Sequence, residues 1–296
     1  MRMNPGELKK IADQIYVEAW LAALFFLFVQ ILALSWRWLL LINVNGRKMN
    51  YGDSIRITLA SLLANYLFIT SIGGIIVRVA LAMQHGVSWI KAIAATTLDR
   101  LMTVIGLLIL AVIFLPVLYG VVSHDIFTHT IMVIGTCAAA FIILPFLLFK
   151  NVRRNMIFAN RKIAVCFKYL RSVITNPNLI AKITLSSIVG QVAYFAAVYA
   201  ITASTGIHIP LLYFMAVVPM ITLVASLPVG YGGWGIREGA FVYGLGLIHV
   251  PIETAFIVSV QVGLVSMLAA LIAGIPALMS GKTQFALKNW KTMRAR

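Results

Sequence analysis

Two arginines stand inside apolar sequence, each a few residues behind a pair of glycines. Gly73-Gly74-Ile75-Ile76-Val77-Arg78 and Gly232-Gly233-Trp234-Gly235-Ile236-Arg237 share the pattern G-G-x-x-V/I-R. Glycine tolerates unusual backbone angles and close approach by another group. A glycine break leaves the following half-helix with free N–H groups and a positive dipole end. The expectation is that Arg78 and Arg237 lie about one turn into such half-helices. N–H groups of Gly73, Gly74, Gly232 and Gly233 beside a guanidinium would make a phosphate-sized anion site. The plain structural alternative is a kink whose arginine pairs with a nearby carboxylate.

Carboxylates are at hand for that alternative. Glu238 follows Arg237 directly, and Asp99 with Arg100 lies in the apolar run after the first motif. An unpaired charge is costly in hydrocarbon, so each should have a partner. Adjacent helical residues do not face each other, so the expectation is that Asp99 or Glu238 neutralises an arginine of the opposite half until an anionic headgroup displaces it. Either carboxylate could instead couple transport to protons. Asn65 and Ser71 precede the first glycine pair and are candidate headgroup contacts. Pro228, Gly230, Gly232, Gly233 and Gly235 crowd the second break, where Tyr231 and Trp234 could line an apolar passage or sit at an interface. Arg37, near the end of the first apolar run, reads as snorkelling to the interface. Thr96, Thr97, Gln191, Tyr194 and Gln261 read mainly as helix–helix glue. The five histidines fall near loops or span ends, and no further ligand completes a metal site with His124-Asp125 and His129. Two cysteines build neither a disulfide framework nor a metal site. No Walker motif or nucleophile elbow is present, so no cofactor is expected.

The elements that carry these residues follow from composition. Of 296 residues, 61% are hydrophobic and 11% charged, with a mean hydropathy of +0.98. That is an all-α polytopic membrane protein. The first apolar segment is too long for a signal-peptide core, and is read as an uncleaved span. At about 20 residues per crossing, five full spans are expected, at about 17–42, 89–115, 129–149, 183–203 and 252–279. Two regions, 54–84 and 211–247, each hold two shorter apolar pieces around a glycine motif and read as hairpin-like, re-entrant segments. Seven to nine apolar helices result.

Net charge is +16, concentrated in 150–182 with eight Lys/Arg and in 281–296 with five, neither holding an acid. These read as a cytoplasmic loop and tail under the positive-inside rule, touching anionic headgroups rather than nucleic acid. Counting back from the tail, hairpin 211–247 opens from outside and 54–84 from the cytoplasm. The N-terminus then falls outside despite Arg2, Lys9 and Lys10, as an interfacial helix at most. The chain reads as one integral membrane domain, 1–296. It holds two span–hairpin–span units, 17–115 and 183–279, joined by span 129–149 and loop 150–182, and ends in tail 280–296. That is an inverted-topology repeat, which permits alternating access to a midplane site.

The run from Leu227 to Ala240, through Gly232-Gly233-Trp234-Gly235-Ile236-Arg237-Glu238, resembles the signature of the lysylphosphatidylglycerol synthase/flippase membrane-domain family. Trp36-Arg37, Asn65 before Gly73-Gly74, Arg78 and Asp99-Arg100 are also similar to that family. Ile75 stands where many members carry an acid. The resemblance implies lipid handling: movement of phospholipids or polyprenyl-linked lipids between leaflets. Because the chain stops after a short basic tail, the soluble aminoacyl-transferase activity of multifunctional members is expected to be absent. The expectation is an inner-membrane lipid flippase or scramblase with membrane lipids as partners, as a homo-oligomer or beside a lipid-synthesis enzyme. The alternatives are a membrane-embedded lipid-phosphate transferase using Glu238, and a non-transporting partner of a lipid-synthesis complex.

Overall fold

The computed structural model describes residues 16–132 apart from 45, 47–48 and 68–71, then 134–136, 139, 161–226 and 235–279. Among them the chain is helical, without strands. Besides a helical stretch at 124–132, the helices are α1 (Val17–Ile42), α2 (Tyr51–Leu67), α3 (Ile72–Gln84), α4 (Trp89–Tyr119), α5 (Arg161–Ile174), α6 (Pro177–Ser204), α7 (Leu211–Ala225), α8 (Ile236–Gly246) and α9 (Ile252–Met279). α1, α4, α6 and α9 are each long and apolar enough to cross a bilayer. This is a multi-pass helical membrane protein. Four expected spans correspond to these helices; most of the fifth, 129–149, lies outside the described residues, as do Ser71, Pro228, Gly230, the N-terminal segment and the basic tail.

Each hairpin-like region is two short helices, α2–α3 and α7–α8. α6 begins six residues before its expected start, because Pro177 occupies its first turn and the side chain of Asn176 accepts the Leu179 N–H at 3.1 Å. α4 runs on to Tyr119, with Pro116 in its last turn. Within the expected basic loop the structure has a helix, α5. Its Tyr169 and Val173 are buried while Lys168 and Arg171 are exposed, an amphipathic pattern. The Tyr169 hydroxyl donates to the Leu41 carbonyl at 3.0 Å, fastening α5 to the end of α1.

Two hydrophobic cores divide the molecule. One joins α2, α3 and α5 to Trp38–Ile42 of α1, Ala92–Met102 of α4 and Ile183 of α6. The other joins α7, α8 and α9 to Ala23 and Leu27 of α1, Leu107–Leu118 of α4 and Phe195–Ile201 of α6. The hairpins therefore pack at opposite ends of α1, α4 and α6. α1 and α6 are antiparallel: Arg37 reaches Ser187, Gly190 faces Leu34, and the start of α1 shares a core with the end of α6. Glycines close the remaining seams. A Cβ at Gly274 of α9 would sit 2.7 Å from Leu63 Cβ of α2, and one at Gly244 of α8 would sit 2.6 Å from Ile221 Cδ1 of α7.

Candidate functional site: buried arginines in both halves

Three charged side chains from three helices meet between the hairpin and the spans of the first half. Arg37 Nε donates to Asp99 Oδ1 at 2.7 Å, and Arg78 Nη1 donates to Asp99 Oδ2 at 2.8 Å. All three side chains are at most 7% exposed. Other guanidinium nitrogens are also engaged. Arg37 Nη1 reaches Ser187 Oγ at 2.9 Å, Arg37 Nη2 reaches Thr103 Oγ1 at 2.8 Å, and Arg78 Nη2 reaches Thr58 Oγ1 at 3.3 Å. The Arg78 guanidinium carbon lies 5.3 Å from the ring centroid of buried Trp38, a cation–π contact. One carboxylate thus serves two guanidinium groups, and the cluster carries a surplus positive charge.

This arrangement corrects two expectations. Arg37 does not snorkel; it is 1% exposed and ties α1 to α4 and α6. Its place near the end of an apolar run pointed to the interface. The better signal was Asp99, an embedded acid that needed a partner. Nor does Asp99 neutralise an arginine of the opposite half: Arg37 and Arg78 both belong to its own half. Arg100, exposed on α4, does not join the cluster.

Asn65 and Gly74 form a separate contact. Asn65 Oδ1 accepts the Gly74 N–H at 2.9 Å, and a Cβ at Gly74 would sit 2.7 Å from Asn65 Cγ. The missing side chain lets α2 and α3 touch, and the Gly74 amide expected to meet a phosphate is committed to Asn65. The break itself lies earlier than expected, since α3 already contains Gly73 and Gly74 and Arg78 is its seventh residue. In the second half Arg237 is the second residue of α8. The same motif therefore sits at two different helical registers.

In the second half Gly235 caps α8 with φ +89°, a conformation that favours glycine. The Glu238 carboxylate folds back to accept the Gly235 N–H through Oε2. Its Oε1 accepts from Arg237 Nη2 at 2.9 Å and lies 3.5 Å from Ser259 Oγ. This corrects the expectation that neighbouring helical residues could not pair. In the first turn Glu238 turns back over the N-terminus as in a capping box, and the long Arg237 side chain bends to meet it. The Arg237 guanidinium lies against α9 at Gly263, where a Cβ would be 2.6 Å from Cζ. Its charge is also felt by Tyr66 of α2 and Tyr194 of α6. Arg237 is thus enclosed by helices of both halves.

The structure brings together Arg78 and Asp99, and separately Arg237 and Glu238; Tyr231, Gly232, Gly233 and Trp234 lie outside the described residues. Thr96, Gln191 and Gln261 are buried, whereas Thr97 is exposed. Thr58, Thr103 and Ser187 complete the first cluster, and isolated hydroxyl residues in apolar sequence gave no signal of it.

Neither the curated proteins nor the solved structures contain a match to this chain. A family model does: that of the lysylphosphatidylglycerol synthase TM region, over residues 1–274. With spans, hairpins and embedded arginines over the same stretch, the chain belongs to the lysylphosphatidylglycerol synthase TM region family.

Proposed function

We propose that this protein is a lipid flippase or scramblase that moves a phosphate-bearing lipid, a phospholipid or polyprenyl-phosphate lipid, between leaflets. The observation that carries this reading is the cluster in which Asp99 serves both Arg37 and Arg78. A surplus cation held away from water is costly unless an anion visits it. A lipid phosphate can take the place of Asp99 on Arg78 while Arg37 keeps the carboxylate, so the exchange strands no charge. Arg237, lying against Gly263 of α9, offers the matching contact in the second half. Acyl chains stay in the bilayer.

The packing supports an inverted repeat. α1 and α6 open the two units and are antiparallel, the hairpins pack at opposite ends, and α2 packs on α9 as α7 packs on α4. Such a pair of units can expose one site alternately to either side. The basic segments favour the cytoplasmic membrane with the C-terminus inside. Glu238 is occupied by Gly235, Arg237 and Ser259, which speaks against its use as an enzymatic base and for transport over a transferase reaction.

Flipping of fluorescent lipids in proteoliposomes, read by dithionite quenching, tests the reading. Wild type should exceed empty liposomes, and Arg78→Ala and Arg237→Ala should lose that excess while remaining folded. No flipping across zwitterionic, anionic and polyprenyl-phosphate lipids would reject it.

A further inference from the structure

A groove of about 370 Å³ runs along the outer seam of α1 and α6. That is within the ~300–1,000 Å³ range of small-molecule sites. Val29, Leu32, Leu185 and Val189 form its apolar length. At one end stand Lys182, Trp36 and Tyr51. Trp36 and Tyr51 meet edge to face at 5.6 Å, and the Tyr51 hydroxyl donates to the Leu32 carbonyl at 2.8 Å, so this end is held in shape.

The groove faces lipid. α1 and α6 are both long and apolar enough to span a bilayer, and Leu32, Trp36, Leu185 and Val189 are all exposed. Lys182 lies near the start of α6, as the last cation of the basic stretch; Val189 lies two turns further in. One exposed cation beside two aromatic rings, followed by an apolar trough, matches an anionic headgroup at the interface with an acyl chain running inward. Zwitterionic lipid fills the trough equally well but gains less from Lys182.

We propose that this groove is a binding site for an anionic phospholipid, with the headgroup phosphate on Lys182 and one acyl chain between α1 and α6. The site is distinct from the buried arginines, though it backs onto them: Trp36 precedes Arg37, and Ser186, whose hydroxyl donates to the Ala33 carbonyl at 2.6 Å, precedes Ser187. It does not depend on transport.

Brominated acyl chains quench tryptophan on contact, and Trp36 lines the groove, so the site reports its own occupancy. The signal is the quenching in the full protein minus that in its Trp36→Phe variant, measured in vesicles of brominated phosphatidylglycerol mixed with unbrominated phosphatidylcholine and in the reverse mixture. Wild type should prefer phosphatidylglycerol about five-fold, the scale of one lysine at an anionic surface. Lys182→Ala should bring that preference to unity while both lipids still quench. Val189→Trp, filling the trough from its exposed rim, should lower Trp36 quenching by both lipids. Equal quenching by the two lipids in wild type, or a preference that survives in Lys182→Ala, would overturn the proposal, whatever the flipping assay shows.

Discussion

The guanidinium of Arg237 rests on the backbone of Gly263, in the space that a side chain at that position would fill. The first half offers the comparison. Arg78 pairs with Asp99, the eleventh residue of α4, and Gly263 is the twelfth residue of α9. Both motif arginines therefore reach the next long helix within one residue of the same level. One finds a carboxylate there; the other finds a glycine and brings its own carboxylate, Glu238.

Gly263→Ala separates the seat of Arg237 from its charge. The added methyl meets the far end of a flexible side chain, so the guanidinium must move while the backbone stays. Alanine also gains about 1 kcal/mol over glycine in a helix interior. Thermal unfolding in detergent should be unchanged or slightly raised, while flipping falls to the level of Arg237→Ala. Gly239→Ala, which has open space around it, is the control and should retain flipping. Wild-type flipping in folded Gly263→Ala would show that this position of Arg237 has no part in transport.

Asp99→Asn should be the most damaging single change in the first cluster. It leaves Arg37 and Arg78 buried without their shared carboxylate, and breaking a buried pair costs about 3–5 kcal/mol. Arg37→Met loses the bonds to Ser187 and Thr103 but leaves Asp99 facing Arg78, so it should cost less. The two changes combined should be less harmful than their sum, by about 0.5–3 kcal/mol in a double-mutant cycle. Thermal unfolding of the four proteins measures this, and strict additivity would contradict the shared carboxylate.

The spans were legible because length and hydropathy alone set them: Val17–Ile42 matches its expected bounds, and Ile252 opens α9 as read. That each hairpin-like region is two short helices was legible because the apolar pieces around each glycine motif are short, and the helices run 11–17 residues. α5 was not, since its charges hid an apolar face spaced at helical intervals. At the site, the embedded arginines and acids showed themselves because charge in hydrocarbon demands a partner. Which partner each takes depends on helix packing. Asp99 could find Arg37 only because α1 and α4 bring residues 62 positions apart together. The two G-G-x-x-V/I-R motifs looked equivalent, yet Arg78 is the seventh residue of its helix and Arg237 the second of its own, because a helix can begin before or after a glycine pair.

Gly74 is required for contact more than for flexibility. Alanine there would meet Asn65 and the backbone carbonyl of Ser61, and backbone cannot rotate away. Gly74→Ala should destabilise the protein by about 1–3 kcal/mol, the usual cost of overpacking. Asn65→Ala should cost less, since it removes one hydrogen bond and relieves no clash. Thermal unfolding of the two variants orders them; equal stability of Gly74→Ala and wild type would mean that α2 and α3 do not touch at this point.

Cys166 reports on the amphipathic helix. It lines an apolar groove between α4 and α5, with Trp89, Ile93 and Leu170. Burial pushes its thiol above the ordinary value. Only the thiolate reacts with a maleimide, so a raised pKa lowers the rate at neutral pH and restores it as pH rises. In a Cys137→Ser background Cys166 is the remaining cysteine. The pH at which its alkylation rate reaches half its maximum should lie above the ~8.5 of a free cysteine. Trp89→Ala opens the groove to solvent and should bring that midpoint back down. A wild-type midpoint at or below the free value would place Cys166 in water, and with it would go the packing of α5 against α4.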